Sequence, residues 1–428
     1  MKVRPSPYGW VQTLARFAFA LLAIVACYRL SVQSARTGLS RLYSTMAIIA
    51  SSIDSADNAV RLTADDPEAH YTRALTLVNL QRIDEAAEEL REAVRLRPHH
   101  YYEWLDLGVT LDRLGDEKGA AAALNQSIRL APMFAQPRWQ FGNFLYAQGQ
   151  YDEAFAQMRL ASQSNPVLFE TMLQLAWPAA DEDVARFQSL MQARTPFEHL
   201  RLARFLVSHG RGDMGTKEVE AAGVPRLPSD LRVAREIIGQ LLSSGRFSDA
   251  SEAWSAIHQA SSPPRGIFLN SNFTEPIAKD DVGFGWQLPA IANVSPAIDP
   301  NGPKPGTRSI RLEFKGETPP GAEILSQLVL LQPHTKYSVS FVVRTTDLVT
   351  GGPPYLSVRG VGGSKSMVLG QSGPISSSLT TWTAYRAEFV TTDETAAAVF
   401  ELKRLECNQG PCPIFGKLWL GDFSLAAE

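Results

Sequence analysis

The chain changes its hydrophobic rhythm twice. Residues 17–28 (FAFALLAIVACY) are an unbroken, uncharged apolar run. Residues 40–170 then carry Ala and Leu at three- and four-residue intervals among Arg and Glu, the period of amphipathic helices. From Arg265 onward the runs are short, β-branched and aromatic, and punctuated by Gly and Pro, which predicts strands and turns. The expected strands are Phe284–Leu288, Ser309–Phe314, Ile324–Leu331, Lys336–Thr345, Tyr355–Arg359, Thr383–Val390, Ala397–Arg404 and Lys417–Leu425. Ser309–Phe314 alternates strictly, so one of its faces is expected buried and the other wet.

A longer period overlies the helical half. Pro98, Pro132 and Pro166 stand 34 residues apart. On that register Trp104, Leu107, Gly108 and Ala120 recur as Arg138, Phe141, Gly142 and Ala154. Gly108 and Gly142, with Ala74 one unit earlier, allow close helix approach, as do Ala86, Ala120 and Ala154 from the opposite side. Gly115 and Gly149 suit helix ends that need positive φ, and the prolines stop one unit and start the next.

These positions resemble the tetratricopeptide repeat, a helix–turn–helix unit that stacks into a solenoid. Three units are expected over 65–168, beginning near Pro67, Tyr101 and Ala135. The first departs from the pattern, with His70 in the Trp slot and Arg73 in the Leu slot. A leading helical segment (31–64) covers its edge through Ala56 and Ala59, and degenerate repeats fill 169–262, where Pro178 interrupts a first helix. The resemblance implies a concave groove for a protein partner, lined by Tyr71, Asn79, Tyr102, Arg113, Trp139, Asn143 and Tyr146. Packing of Tyr71 and Trp139 against neighbouring helices is the competing expectation. Glu85, Glu88, Glu89, Arg91, Glu92 and Arg95 read as an exposed, salt-bridged helix face, and His99-His100 as a solvated turn.

Ser261–Gly266 resists both helix and strand and is the expected boundary of a β-sandwich over 263–428. Roughly eight strands suit a jelly roll. The order Leu269–Glu275, Gly283-Phe284-Gly285-Trp286, Gly306…Ser309, Leu331-Gln332-Pro333…Tyr337, Trp382…Phe389 and Leu418–Phe423 resembles galactose-binding-like jelly rolls, carbohydrate-binding modules among them. That resemblance implies a glycan site, for which Trp286, Arg344, Tyr355 and Arg404 are candidates, while Trp382 and Trp419 are expected in the core and a structural role competes for Trp286 as well. It also implies a structural calcium at Glu275 and Asp422. The opening segment departs from the family's usual Asn-Gly-Asp/Asn-Phe-Glu, and Gly421 removes a second carboxylate.

The apolar run near the start, preceded by Lys2, Arg4 and Arg16, assigns 1–30 to a signal anchor or transmembrane helix. A bacterial lipoprotein is the alternative, because Ile24-Val25-Ala26-Cys27 resembles a lipobox. Either places the remainder outside the cytoplasm, in the periplasm for an inner-membrane anchor. There Cys407 and Cys412 are expected to form a disulfide, since two cysteines alone cannot complete a zinc site. The chain has 428 residues and a net charge of −3, which gives no electrostatic reason for a nucleic-acid partner. No Gly-x-Ser-x-Gly, His-Glu-x-x-His or phosphate loop occurs, and the carboxylates of the strand-rich half show no paired spacing. The expectation is therefore not an enzyme but an envelope scaffold that binds a protein partner and a polysaccharide, in exopolysaccharide assembly or export. The alternative is a general assembly factor with a purely structural sandwich. No cofactor is required; the structural calcium is an option that the resemblance offers.

Overall fold

The structure, a computed structural model, describes residues 9–278, 281–362, 366–407 and 411–428. Lys2, Arg4 and the Asn408-Gln409-Gly410 stretch lie outside the described residues. The chain forms two compact units, Met1–Gln192 and Ala193–Glu428.

The first unit is all-α: α1 (Gly9–Ala50), α2 (Ile53–Leu62), α3 (Pro67–Asn79), α4 (Ile83–Leu96), α5 (Tyr101–Arg113), α6 (Glu117–Leu130), α7 (Ala135–Ala147), α8 (Tyr151–Ser164), α9 (Leu168–Ala179) and α10 (Val184–Met191). The 42 residues of α1 span about 63 Å at the α-helical rise. Over Leu14–Ala50 this helix is long and apolar enough to cross a membrane, by length and composition. Its last turns belong to the solenoid: Ser40 and Ala47 are fully buried, and the Ser40 hydroxyl donates to the Ala59 carbonyl at 3.0 Å. One unbroken helix thus serves as apolar rod and as first packing element.

Helices α3, α5 and α7 begin at the three residues that open the expected units. Leu124 packs against Gly108 so closely that an added Cβ would lie 2.6 Å from its Cγ. At Gly142 the added atom would lie 2.7 Å from Met158 Cγ and 3.1 Å from the Ala154 carbonyl oxygen. Gly115 and Gly149 adopt φ of 75° and 73°, and Gln81 holds the equivalent place in the first unit at 62°. Pro178 is accommodated in the last turn of α9, which ends one residue later.

The first unit's departures have a physical reason. His70 Nδ1 meets Glu89 Oε2 at 2.6 Å and its Nε2 meets the Ala64 carbonyl at 2.9 Å. Arg73 bonds Asp57 at 2.7 Å and the same Glu89. A polar network joins α2, α3 and α4, with Arg73 in the slot that the sister units fill with the apolar Leu107 and Phe141. Glu89 therefore leaves the exposed face expected of it; its side chain is only 14% exposed.

The second unit contains α11 (Pro196–Ser208), α12 (Gly212–Ala222), α13 (Pro228–Ser243) and α14 (Phe247–His258), then β1 (Val294–Asp299), β2 (Ser309–Glu317), β3 (Leu325–Leu330), β4 (Lys336–Thr350), β5 (Pro354–Val361), β6 (Met367–Gln371), β7 (Thr383–Val390), β8 (Ala397–Arg404) and β9 (Pro413–Ala427). The strands form two sheets, ordered β1-β2-β9-β4-β7 and β3-β8-β5-β6, packed as a jelly-roll sandwich. All paired strands are antiparallel. Ile310, Leu312 and Phe314 enter the core with Phe341, Val343, Phe400 and Leu418, as the alternation requires.

Two expectations shift. Phe284–Leu288 is not a strand and makes a single bridge, Gln287 to Ser326. The sandwich is also not set off from the helices at 263: Phe284, Leu330 and Ala397 share a buried cluster with Ile237, Ile238, Phe247 and Trp254. Helices α13 and α14 cover part of the outer face of the four-stranded sheet, because Leu330 and Ala397 point out of the sandwich and need an apolar cover.

Candidate functional site

The groove residues divide into those spent on the scaffold and those left available. The Tyr71 hydroxyl donates to Asp106 Oδ2 at 2.6 Å, tying α3 to α5. Burial there pushes the Tyr71 phenol up, with help from the Asp106 bond, and burial raises the Asp106 carboxyl too. Tyr146 donates to the Leu175 carbonyl at 3.3 Å, tying α7 to α9. Tyr102 is 41% exposed and stacks on Tyr101 with ring centroids 4.1 Å apart. Asn79 and Arg113 are exposed at the ends of α3 and α5, while Trp139 and Asn143 are half-buried on α7. Two of the seven thus hold successive first helices in register, and the others offer amide, guanidinium and aromatic surface.

The four glycan candidates are not brought together. Trp286 is 3% exposed, with its ring stacked parallel to Phe268 at 5.8 Å and its Nε1 donating to the Asn270 carbonyl at 3.1 Å. It is a core residue, since both its apolar faces and its N–H are satisfied internally. Arg404 is 1% exposed and donates to the carbonyls of Gly352, Thr318 and Cys412 at 3.2, 2.5 and 3.0 Å. Desolvation lowers its pKa. It fastens the loop closed by the Cys407–Cys412 disulfide, whose Cα atoms are 5.7 Å apart, and has no group left for a ligand. Tyr355 is half-buried on β5, alternating with the core residues Leu356 and Val358 and so on the outer face of the four-stranded sheet.

Arg344 alone lies on the open outer face of the five-stranded sheet, and it has company there. It pairs in register with Trp419 of β9, which pairs on its other side with Arg311 of β2. The Arg344 guanidinium carbon sits 4.5 Å from the Trp419 ring centroid and 5.3 Å from that of Trp382. Both tryptophans therefore lie on the outer face and not between the sheets; Trp382 is half-buried there, whereas Trp419 is buried as expected. Trp419 remains 7% exposed because Arg344 covers it and its Nε1 donates to Asp299 Oδ2 at 2.9 Å. That bond, the Asn301 contacts and the Arg311 charge hold the Asp299 carboxyl below its usual range despite partial burial, which pushes the other way. Arg311 and Trp419 were missed from sequence. The alternation of Ile310, Leu312 and Phe314 does assign Arg311 to the wet face, but its pairing with a strand a hundred residues later leaves no local signal.

Asp422 Oδ2 meets Lys304 Nζ at 2.6 Å, which supplies the positive charge a calcium would bring to that carboxylate. Glu275 lines a cleft of about 590 Å³ with Asn270, Asn272, Asp281 and His258. Among the described residues no group of three or more His, Cys, Asp or Glu side chains could hold a metal ion.

The fold is an all-α solenoid, resembling tetratricopeptide repeats, followed by an all-β sandwich, with no metal-binding cluster among the described residues. The tetratricopeptide-repeat family model matches residues 50–101 and 71–133. Protein FlbA of Caulobacter vibrioides is 29% identical over 124 residues, which are 29% of this chain and 19% of that protein. The chain therefore spans about a fifth of the length of this curated relative. Among solved structures, MamA (41-end) from Desulfovibrio magneticus RS-1 is 18% identical, with a TM-score of 0.30 over 44% of this chain and 93% of its own. A structure titled "CBM4 structure and function" is 12% identical, with a TM-score of 0.28 over 38% of this chain and 100% of its own.

Proposed function

We propose that the protein is a non-catalytic, membrane-anchored adaptor of the bacterial envelope, in exopolysaccharide assembly or export. The solenoid groove holds a protein partner, and the sandwich holds polysaccharide on the outer face of its five-stranded sheet. One observation carries the reading. Helices cover part of one outer face of the sandwich, while the other presents half-buried Trp382 beside Arg344, which itself covers Trp419. Aromatic planes beside hydrogen-bond donors suit the apolar faces and hydroxyls of sugars.

The test is affinity electrophoresis of the full chain in mild detergent through gels containing envelope polysaccharide. A photo-crosslinker at Asn79 or Arg113 serves to trap the partner. Retardation together with one discrete crosslink is expected. The second reading, an assembly factor with a structural sandwich, draws on the burial of Trp286 and Arg404. It is the one left standing if the crosslink forms but no polysaccharide slows the protein.

Attachment to the membrane is through α1 in this proposal, with the bulk of the chain in the periplasm. Cys27 is a free, exposed cysteine on that helix. Palmitate label that disappears in Cys27→Ser would instead establish a lipoprotein, so no incorporation is the expected result.

A further inference from the structure

The outer face of the five-stranded sheet is richer in cations than a chain of net charge −3 leads one to expect. Arg311 and Arg344 flank Trp419 on adjacent strands. Lys417, two residues earlier on β9 and so on the same face, lies across from Glu313 and Thr346. None of these three cations has a carboxylate within ion-pair distance among the described residues. The nearby acids are engaged elsewhere: Glu313 is 3.7 Å from Lys315. Asp299 accepts from Trp419 and from the backbone and side chain of Asn301. The opposite sheet handles charge differently, since Glu401 there pairs with both Arg359 and Lys403.

The arginines are also incompletely satisfied. Nε of Arg311 and Nε of Arg344 are both buried without a hydrogen-bond partner. Neither Nε finds an acceptor among the described residues, and a buried N–H left unmade costs about 1–3 kcal/mol; both side chains are half-exposed, so their terminal nitrogens are what a ligand on this face would meet. A guanidinium presents parallel N–H groups that match the two oxygens of a carboxylate. The two arginines stand two strand spacings apart, about 10 Å, a separation that acids along one saccharide chain can bridge. Trp382, half-buried beside Arg344, adds an apolar plane at the end of the row.

We propose that this row recognises carboxylate-bearing sugars, so that the ligand is an acidic polysaccharide containing hexuronic acid or an acid-substituted hexose. The inference rests on the glycan reading above and adds the charge of its ligand. Arg311 and Arg344 take carboxylates, Lys417 adds long-range attraction, and Trp382 takes a pyranose face.

The experiment uses the full chain in detergent, run through gels containing polygalacturonate, its fully methyl-esterified form, or polyglutamate. Strong retardation by polygalacturonate is expected, with little by the ester, which keeps the backbone and masks the charge. Arg311→Gln and Lys417→Gln should each weaken the interaction about tenfold while the protein still melts as a folded chain, without a loss of stability. They are preferred to Arg344→Gln, which also removes ring stacking. Equal retardation by acid and ester overturns the acidic preference and leaves the glycan reading standing. Retardation by neither polysaccharide overturns both. Equal retardation by polyglutamate shows a general anion surface and overturns the assignment to sugars.

Discussion

Arg404 has no carboxylate partner among the described residues, yet it is among the most buried side chains of the sandwich. Its forked guanidinium reaches three carbonyls and the Thr350 hydroxyl, so the peptide dipoles of two loops replace a counter-ion. Arg404→Met should cost about 3 kcal/mol or more by leaving those carbonyls buried and unmatched. Arg404→Lys should recover little, because an ammonium cannot span the same acceptors. Urea denaturation of both variants checks this. At the junction between the first two repeats, Glu103 is fully buried, 2.7 Å from Arg97 Nη2. Burial pushes its carboxyl up to about 7, against the pull of Arg97. The ordinary value is 4.5, so the folded protein binds more protons than the unfolded chain between these values. The contribution of this group to stability is therefore greatest at or below pH 4.5, declines as pH rises towards 7, and is flat above. The whole swing is on the order of 3 kcal/mol. Glu103→Gln should raise the melting temperature at pH 8 and flatten its fall between pH 5 and 8.

A recurring contact explains both the regularity of the repeats and their exceptions. In three helix pairs the fourth residue of the first helix meets a residue nineteen later on the second: His70 with Glu89, Arg138 with Gln157, and His199 with Glu218. In the second unit the same places hold Trp104 and Ala123, and the indole instead donates to the Pro98 carbonyl. Polar and apolar pairs fill one slot as long as each is complete within the unit. The small residues are less exchangeable. Gly142→Ala places a methyl against Met158 and the Ala154 carbonyl, and the overpacking should outweigh the gain in helix propensity, for a net loss of about 1–2 kcal/mol. A thermal melt followed by circular dichroism would show it. The same logic marks what was legible in the sequence. A period of 34 residues fixes the starts of three units because each unit meets the same neighbours. Strands β1 and β6 escaped notice because both are sheet edges, β1 carrying Pro296 and β6 largely exposed, so neither shows the alternation of a half-buried strand. The row on the five-stranded sheet was legible only at Arg344, since strand pairing across β2, β9 and β4 is not written in local pattern.

For the whole molecule, the boundary matters most. The composition change at Ser261–Gly266 is real, yet the apolar contacts run through it, and Leu330 and Ala397 are buried beneath helices that precede it. A fragment of residues 265–428 should expose that patch and aggregate or melt lower than one of residues 193–428. Size-exclusion chromatography and melting of the two fragments side by side would decide, and equal behaviour would count against a shared core. If α1 is the anchor proposed above, it bears on how the solenoid meets its partner. Because α1 passes from its apolar stretch to Ser40 without a break, no flexible linker lets the repeats sample a range of positions. On the anchored reading, height above the bilayer and heading of the groove are both set by the helix. Local concentration is then high for a partner segment presented at that height and close to zero for one that is not. The stalk would act as a gauge, selecting partners by where they present themselves before any side chain is read.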